Sequence, residues 1–134
     1  VKPNSHPTAI VQNIDYAPTI LDAAGIDIPP EVQVESLMPL LHGKTPSDWR
    51  KSILYTYYEQ GVHAVSRHRG VRDQRYKLIE FYEKGEWEFY DLKKDPLEMH
   101  NQFDNPAYQD KIQALKQELK RLMAFYRLEE SSPT

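Results

Sequence analysis

Apolar and polar positions repeat with two different periods along this chain, and the change of period divides it. From Asp15 to Gly25 the spacing is helical. Asp15 is placed to cap the N-terminus, Pro18 sits in the first turn where its missing N–H costs little, and Gly25 suits the left-handed residue after the last turn. Tyr16, Ile20 and Ala23 or Ala24 then share one face, read as a core-facing stripe. Pro29-Pro30 forces an extended connection, after which Ser36 to Gly43 repeats the pattern in a shorter helix, with Ser36 as N-cap and Gly43 as stop. Each short helix carries an apolar face that it cannot bury by itself, so both are expected to pack on a larger surface.

From Ser52 onward the residues favour strands. Four runs rich in Val, Ile, Tyr, Phe and Trp are read at 53–58, 64–72, 75–82 and 86–92. The connections Asp73-Gln74 and Glu83-Lys84-Gly85 are short enough for hairpins, so the last three strands are expected to form an antiparallel meander. Ile79 and Phe81 face away from Leu78 and Tyr82, which predicts that one sheet face takes a helix and the other meets another domain. The covering helix is written in Tyr108, Ile112, Leu115, Leu119, Leu122 and Tyr126, spaced alternately by four and three, with Asn105 as N-cap and Pro106 in the first turn. The predicted architecture is α+β: a small antiparallel sheet of about four strands packed by a long C-terminal helix, with two short N-terminal helices. Residues 1–50 read as a linker with short helices, 51–128 as a folded subdomain and 129–134 as a disordered tail.

Composition narrows the class without changing that picture. A chain of 134 residues with 40% hydrophobic and 28% charged residues is a folded domain, not a disordered or membrane-spanning one. No stretch approaches the roughly 18 to 20 apolar residues that span a bilayer. The net charge of -3 and pI near 6.0 give no global attraction to nucleic acid or to an anionic membrane, so any recognition of an anion is local. The absence of cysteine removes disulfides, thiolate chemistry and cysteine-based zinc sites, and leaves the compartment undetermined. A start at Val1 within a Pro/Asn/Ser stretch reads as a fragment cut at a loop, with an upstream signal or domain missing.

The most chemically loaded segment runs from His63 to Arg72. His63, Arg67, His68, Arg69 and Arg72 can all be cationic, and arginine and histidine donors suit a sulfate, phosphate or carboxylate. On a strand, His63, Arg67 and Arg69 share one side and His68 and Arg72 the other. His63 is the first candidate for a substrate contact, followed by Arg67 and His68; the competing reading of Arg67 to Arg69 is a solvated or salt-bridged strand face. Glu59 with His63 could form a base and its orienting carboxylate, yet no nucleophile stands beside them. A metal site from His63, His68 and a distant carboxylate has no support in the spacing. The many aromatic residues, among them Tyr55, Tyr57, Tyr76, Trp87 and Phe89, read as core and sheet surface ahead of platforms for sugars or bases.

Four blocks in order carry a family resemblance: Asn13 to Ile26, then Pro30 and Glu35 to Gly43, then Gly70 to Ile79, then Trp87 to Glu98 with Asn101. Over roughly residues 10–125 they resemble the C-terminal region of type I sulfatases, including arylsulfatases and N-acetylglucosamine-6-sulfatase-like enzymes. One departure is Val34, where the family usually has glycine, so the local turn is expected to differ. The resemblance implies a C-terminal fragment of a sulfuric ester hydrolase acting on sulfated sugars, one that walls the substrate pocket and has its own N-terminal catalytic domain as partner. It implies no catalytic residue and no metal in this chain: the formylglycine and calcium belong upstream, and the partial nucleophile motif Ser131-Ser132-Pro133-Thr134 runs off the end. Such an enzyme is expected in a periplasmic, extracellular or lysosomal setting, with self-association through exposed apolar surface as a further expectation. The alternatives are the C-terminal part of a related phosphodiesterase or phosphonate hydrolase, and a non-catalytic α+β interaction module.

Overall fold

The computed structural model describes residues 3–59 and 64–128. Two units form, Val1–Lys51 and Ser52–Thr134. In the first, a 3-10 turn at Asn13–Asp15 leads into helix α1, Tyr16–Ala23, and a second helix α2 spans Met38–Leu41. Gly25 and Gly43 stand at φ +68° and +75°. At these two ends the amides of Ile26 and Lys44 donate back to the carbonyls of Leu21 and Pro39, each at 2.9 Å, which closes the helices as a left-handed glycine allows. The N-cap of α2 is Leu37, one residue later than the expected Ser36, and has no side-chain cap bond; the Ser36 hydroxyl oxygen accepts the Met38 amide at 3.2 Å from the position before it.

Two expectations for α1 are overturned. The Asp15 side chain makes no cap bond to the helix; it is fully buried, accepts the Gln12 amide at 2.7 Å and holds the Arg50 guanidinium at 2.7 and 2.8 Å. A buried carboxylate beside a guanidinium gains more from that pair than from one terminal amide. The stripe of Tyr16 and Ile20 is not core-facing: the two residues are 63% and 67% exposed. The buried side of this region is Asp15 and Pro18 instead. Val34 does not adopt a positive φ, so the turn ahead of α2 takes a path that a Cβ tolerates.

The second unit is the expected α+β subdomain. Strands β1 (Ser52–Tyr57), β2 (His68–Asp73), β3 (Tyr76–Phe81) and β4 (Glu86–Asp91) form one antiparallel sheet in sequence order. β2 starts at His68, four residues later than the β-rich composition suggested. Ala64 stands at φ +52°, outside the extended region, and the chain enters the ladder only where His68 pairs with Tyr57. The β2–β3 turn falls at Gln74-Arg75; Asp73 shapes it by accepting the amides of Arg75 and Tyr76 at 2.7 and 2.6 Å.

Register decides the two faces. Leu54, Val71, Leu78 and Phe89 form one row across all four strands. They point at helix α3, Gln109–Phe125, whose Ile112, Leu115, Leu119, Leu122 and Met123 are buried against them. The helix is led by a 3-10 turn at Pro106–Tyr108, where the Asn105 side chain accepts the Ala107 amide at 3.0 Å. Ser52 Oγ donates to the Glu118 carboxylate and ties β1 to α3. The neighbouring row, Tyr55, Gly70, Ile79 and Glu88, lies on the opposite face, where Ile79 and Tyr90 are also buried. No helix among the described residues is long and apolar enough to cross a membrane. The tail 129–134, expected to be disordered, lies outside the described residues.

Candidate functional site

The sheet brings the chemistry together at one end of the face turned away from α3, where β1 ends and β2 begins. Tyr57, the last residue of β1, pairs with His68, the first of β2. Their rings stack at 5.4 Å and 16°, Phe81 of β3 lies 5.4 Å from the imidazole on a tilted plane, and Tyr55 meets it edge-on at 6.2 Å. The imidazole Nδ1 is 3.0 Å from the Ser66 carbonyl oxygen. His68 is thus set in an aromatic box and bonded to the segment that enters its own strand.

Arg67 lies just before this strand. Its Nη1 is 3.3 Å from Glu83 in the β3–β4 turn, and both side chains are more than a third exposed, so this pair adds about 0–1 kcal/mol. Arg69 takes the α3 side of the sheet, with Nε 2.5 Å from Glu80 and its guanidinium 5.4 Å from the Tyr82 ring centre. Both arginines are thus in ion pairs, Arg67 ahead of the strand and Arg69 on the opposite face from His68. His63, the first candidate from sequence, lies outside the described residues, as do residues 60–62.

Three features escaped the sequence reading. Tyr55 lies over Gly70, and its hydroxyl donates to the Leu78 carbonyl at 3.3 Å. Burial raises its phenol far above the usual tyrosine range. Lys77 sits 5.6 Å above that ring and pairs with Glu98 at 2.6 Å, leaving an exposed Arg72 beside it on the same face. A glycine in mid-strand opposite a tyrosine was the available signal. On the same face, burial first and then the Glu88 carboxylate, which accepts its hydroxyl at 3.0 Å, push the Tyr90 phenol up to about 12.

The third feature is a polar cavity of about 440 Å³ between the end of β4 and the start of the helix. Asp91 is its anchor, only 2% exposed and held by Arg75 at 2.8 and 3.0 Å, by the Tyr108 hydroxyl at 3.2 Å and by the Lys93 amide at 3.2 Å. The Arg75 guanidinium above all, with the Tyr108 hydroxyl, holds the Asp91 carboxyl down to about 2 against the opposing effect of burial. Lys94 donates to Tyr108 at 2.9 Å. These groups satisfy one another, so the arrangement works as a lock between β4 and the helix. The aromatic residues of the α3 side are likewise used in packing: Trp87 stacks on Phe103 and Tyr76 on Phe89.

Among the described residues no three His, Asp or Glu side chains converge as a metal site, and the sequence has no cysteine. The described residues therefore offer no ligand set for a calcium ion, and a cysteine-derived formylglycine has no precursor in this sequence.

Comparison with known proteins places this geometry. Residues 1–124 match the family described as N-sulphoglucosamine sulphohydrolase, C-terminal. The N-acetylglucosamine-6-O-sulfatase of Bacteroides thetaiotaomicron is 47% identical over 131 residues, covering 95% of this chain and 24% of the relative. A solved structure described as a complex with its substrate D-glucosamine-2-N,6-O-disulfate superposes with a TM-score of 0.80 at 47% identity, over 84% of this chain and 24% of that one. The phosphonate monoester hydrolase of Silicibacter pomeroyi superposes with a TM-score of 0.71 at 26% identity, again over 84% of this chain and 24% of that one. The chain spans about a quarter of the length of the curated relatives it matches.

Proposed function

The chain belongs to the N-sulphoglucosamine sulphohydrolase C-terminal family, and from that membership we propose that it walls the substrate pocket of an enzyme that hydrolyses sulfate esters of sugars. The observation that carries the reading is the segment joining β1 to β2. Of that segment the structure describes the end that enters β2, where His68 is boxed by Tyr57, Phe81 and Tyr55 on the face that α3 leaves open and Arg67 stands one residue ahead. Within it, His63 is assigned to substrate contact, with Arg67 and His68 in the same wall. Donors of this kind match the oxygens of a sulfate group and the hydroxyls of a sugar.

The bond-breaking groups belong elsewhere. The described residues gather no set of carboxylates for calcium, and the sulfatase resemblance assigns formylglycine and calcium to an N-terminal catalytic domain, the proposed partner. The apolar residues Ile14, Tyr16 and Ile20, exposed around α1, supply a surface for that domain to cover.

The test is His63→Ala in the full-length protein, with release of sulfate from 6-O-sulfated glucosamine as the assay. Loss of a charged or polar contact is expected to lower kcat/KM by about tenfold or more. Unchanged kcat/KM would remove His63 from the site. The likeness to a phosphonate hydrolase supports a second reading, cleavage of a phosphonate monoester. Turnover of that ester by the same preparation, with no release of sulfate, would favour it.

A further inference from the structure

The side of the sheet that carries α3 is not filled to its end. Two residues along from the core row, Arg69, Glu80 and Trp87 pair across β2, β3 and β4 and form one wall of a groove of about 590 Å³, with α3 as the other wall. That volume falls within the range of about 300–1,000 Å³ that small ligands fill. Leu119 and Met123, both buried, give the groove an apolar base, and the half-buried Trp87 stands against it, stacked on Phe103.

The charges decide what such a groove can take. On the sheet wall Arg69 and Glu80 neutralise each other at 2.5 Å. On the helix wall, Gln113, Lys116, Gln117 and Lys120 share one face by their spacing. The Lys116 ammonium lies 4.4 Å from the Trp87 ring centre and 4.8 Å from that of Phe103, and neither it nor Lys120 meets a carboxylate among the described residues. Two like charges four residues apart on a helix repel each other, and an anion held between them removes that repulsion.

We propose that this groove binds an anionic saccharide, with a sulfate group between Lys116 and Lys120, hydroxyls on the amides of Gln113 and Gln117, and the sugar ring against Trp87 and the apolar base. The choice of sulfate as the anion rests on the proposed action on sulfated sugars; the groove and its uncompensated charges do not. Nucleic acid fits less well, because a phosphate backbone calls for a continuous basic stripe, whereas here two lysines stand among amides in a chain of net charge -3.

Binding of dextran sulfate to the full-length protein, measured by titration calorimetry, tests the site. K116Q/K120Q is expected to weaken it by about tenfold, and K93Q/K111Q, which removes the same charge outside the groove, to leave it within about twofold. Equal weakening by both pairs, or none by the groove pair, would overturn the proposal. Because Lys116 also covers the Trp87 ring, the exposed Lys120→Gln alone provides a variant that leaves the packing intact, with an expected loss of about threefold; unchanged binding in it would count against the site. Neutral dextran bound as tightly as dextran sulfate would remove the anion. Duplex DNA bound more tightly, with the same dependence on Lys116 and Lys120, would remove the saccharide. Failure of the proposed function shows itself separately, as absence of sulfate release, and leaves lysine-dependent binding of dextran sulfate in place.

Discussion

Gly70→Ala tests the packing of the open sheet face at a point where the geometry allows no easy relaxation. A Cβ on Gly70 would lie 2.3 Å from the Tyr55 hydroxyl oxygen and 2.4 Å from the Leu78 carbonyl oxygen, where ordinary contact begins at 3.4 Å. Each neighbour would have to retreat by about 1 Å, an overpacking of the kind that costs about 1–3 kcal/mol. Tyr55 can swing its ring away, but only by giving up its bond to the Leu78 carbonyl, a further loss of about 1 kcal/mol. The carbonyl has less freedom, because the Leu78 side chain is fully buried in the core beneath α3. The sum is about 2–4 kcal/mol, or about 10 °C or more in melting temperature for a unit of this size.

Thermal and urea unfolding of the chain and its variant, followed by circular dichroism, would measure it. The double variant Y55A/G70A refines the result. If the phenol carries part of the clash, the double variant is less destabilised than the sum of its singles by about 1 kcal/mol. A Gly70→Ala chain that melts within about 2 °C of the wild type would refute the close approach and with it the seating of Tyr55.

The remaining predictions concern two buried carboxylates. Asp15→Ala leaves the Arg50 guanidinium without its carboxylate, and the N-terminal unit is expected to lose about 3 kcal/mol, measured by hydrogen exchange of α1; a loss near 1 kcal/mol would return Asp15 to an ordinary cap. Asp91 is held at about 2 in the fold against an ordinary value of 3.8. A depressed carboxyl contributes stability that is fully present above the unfolded value and is lost as pH falls through the folded one. The stability difference between wild type and Asp91→Asn is therefore expected to be greatest at neutral pH and to shrink between pH 4 and about 2. A difference that stays constant over that range in acid titrations of urea midpoints would contradict the assigned ion pair.

The parts of this molecule that were legible in its sequence are those set by local period. The α3 stripe, the β3–β4 hairpin, the Asn105 cap and the glycines after α1 and α2 all follow from residues within a few positions of each other. The misreadings share a different origin, since each depends on a partner distant in sequence. Asp15 looks like a cap until Arg50, 35 residues on, is brought to it. Tyr55 looks like one more strand aromatic until Gly70 opens the space beneath it. The start of β2 failed for a local reason of another kind: Ala64 to Arg67 have strand-like composition, but a positive φ at Ala64 delays entry to the ladder. Of the candidate site residues, His68 lies where the sheet register puts it and Arg67 just ahead of the strand, and their partners Glu83 and Ser66 could not have been chosen from spacing.

Relatives that cleave different esters share this sheet and helix, so the architecture cannot by itself select sulfate over a phosphorus ester. Selection has to come from side chains whose placement varies while the platform stays fixed. In this unit the helix-facing row is closed by core packing, and Asp91 locks the end of β4 to the helix start. At the entry of β2 the described residues Arg67 and His68 are tied to Glu83 and Ser66 by polar contacts on a rigid ladder. On the proposed pocket-wall reading, exchanging residues at this edge changes the ligand without disturbing the core.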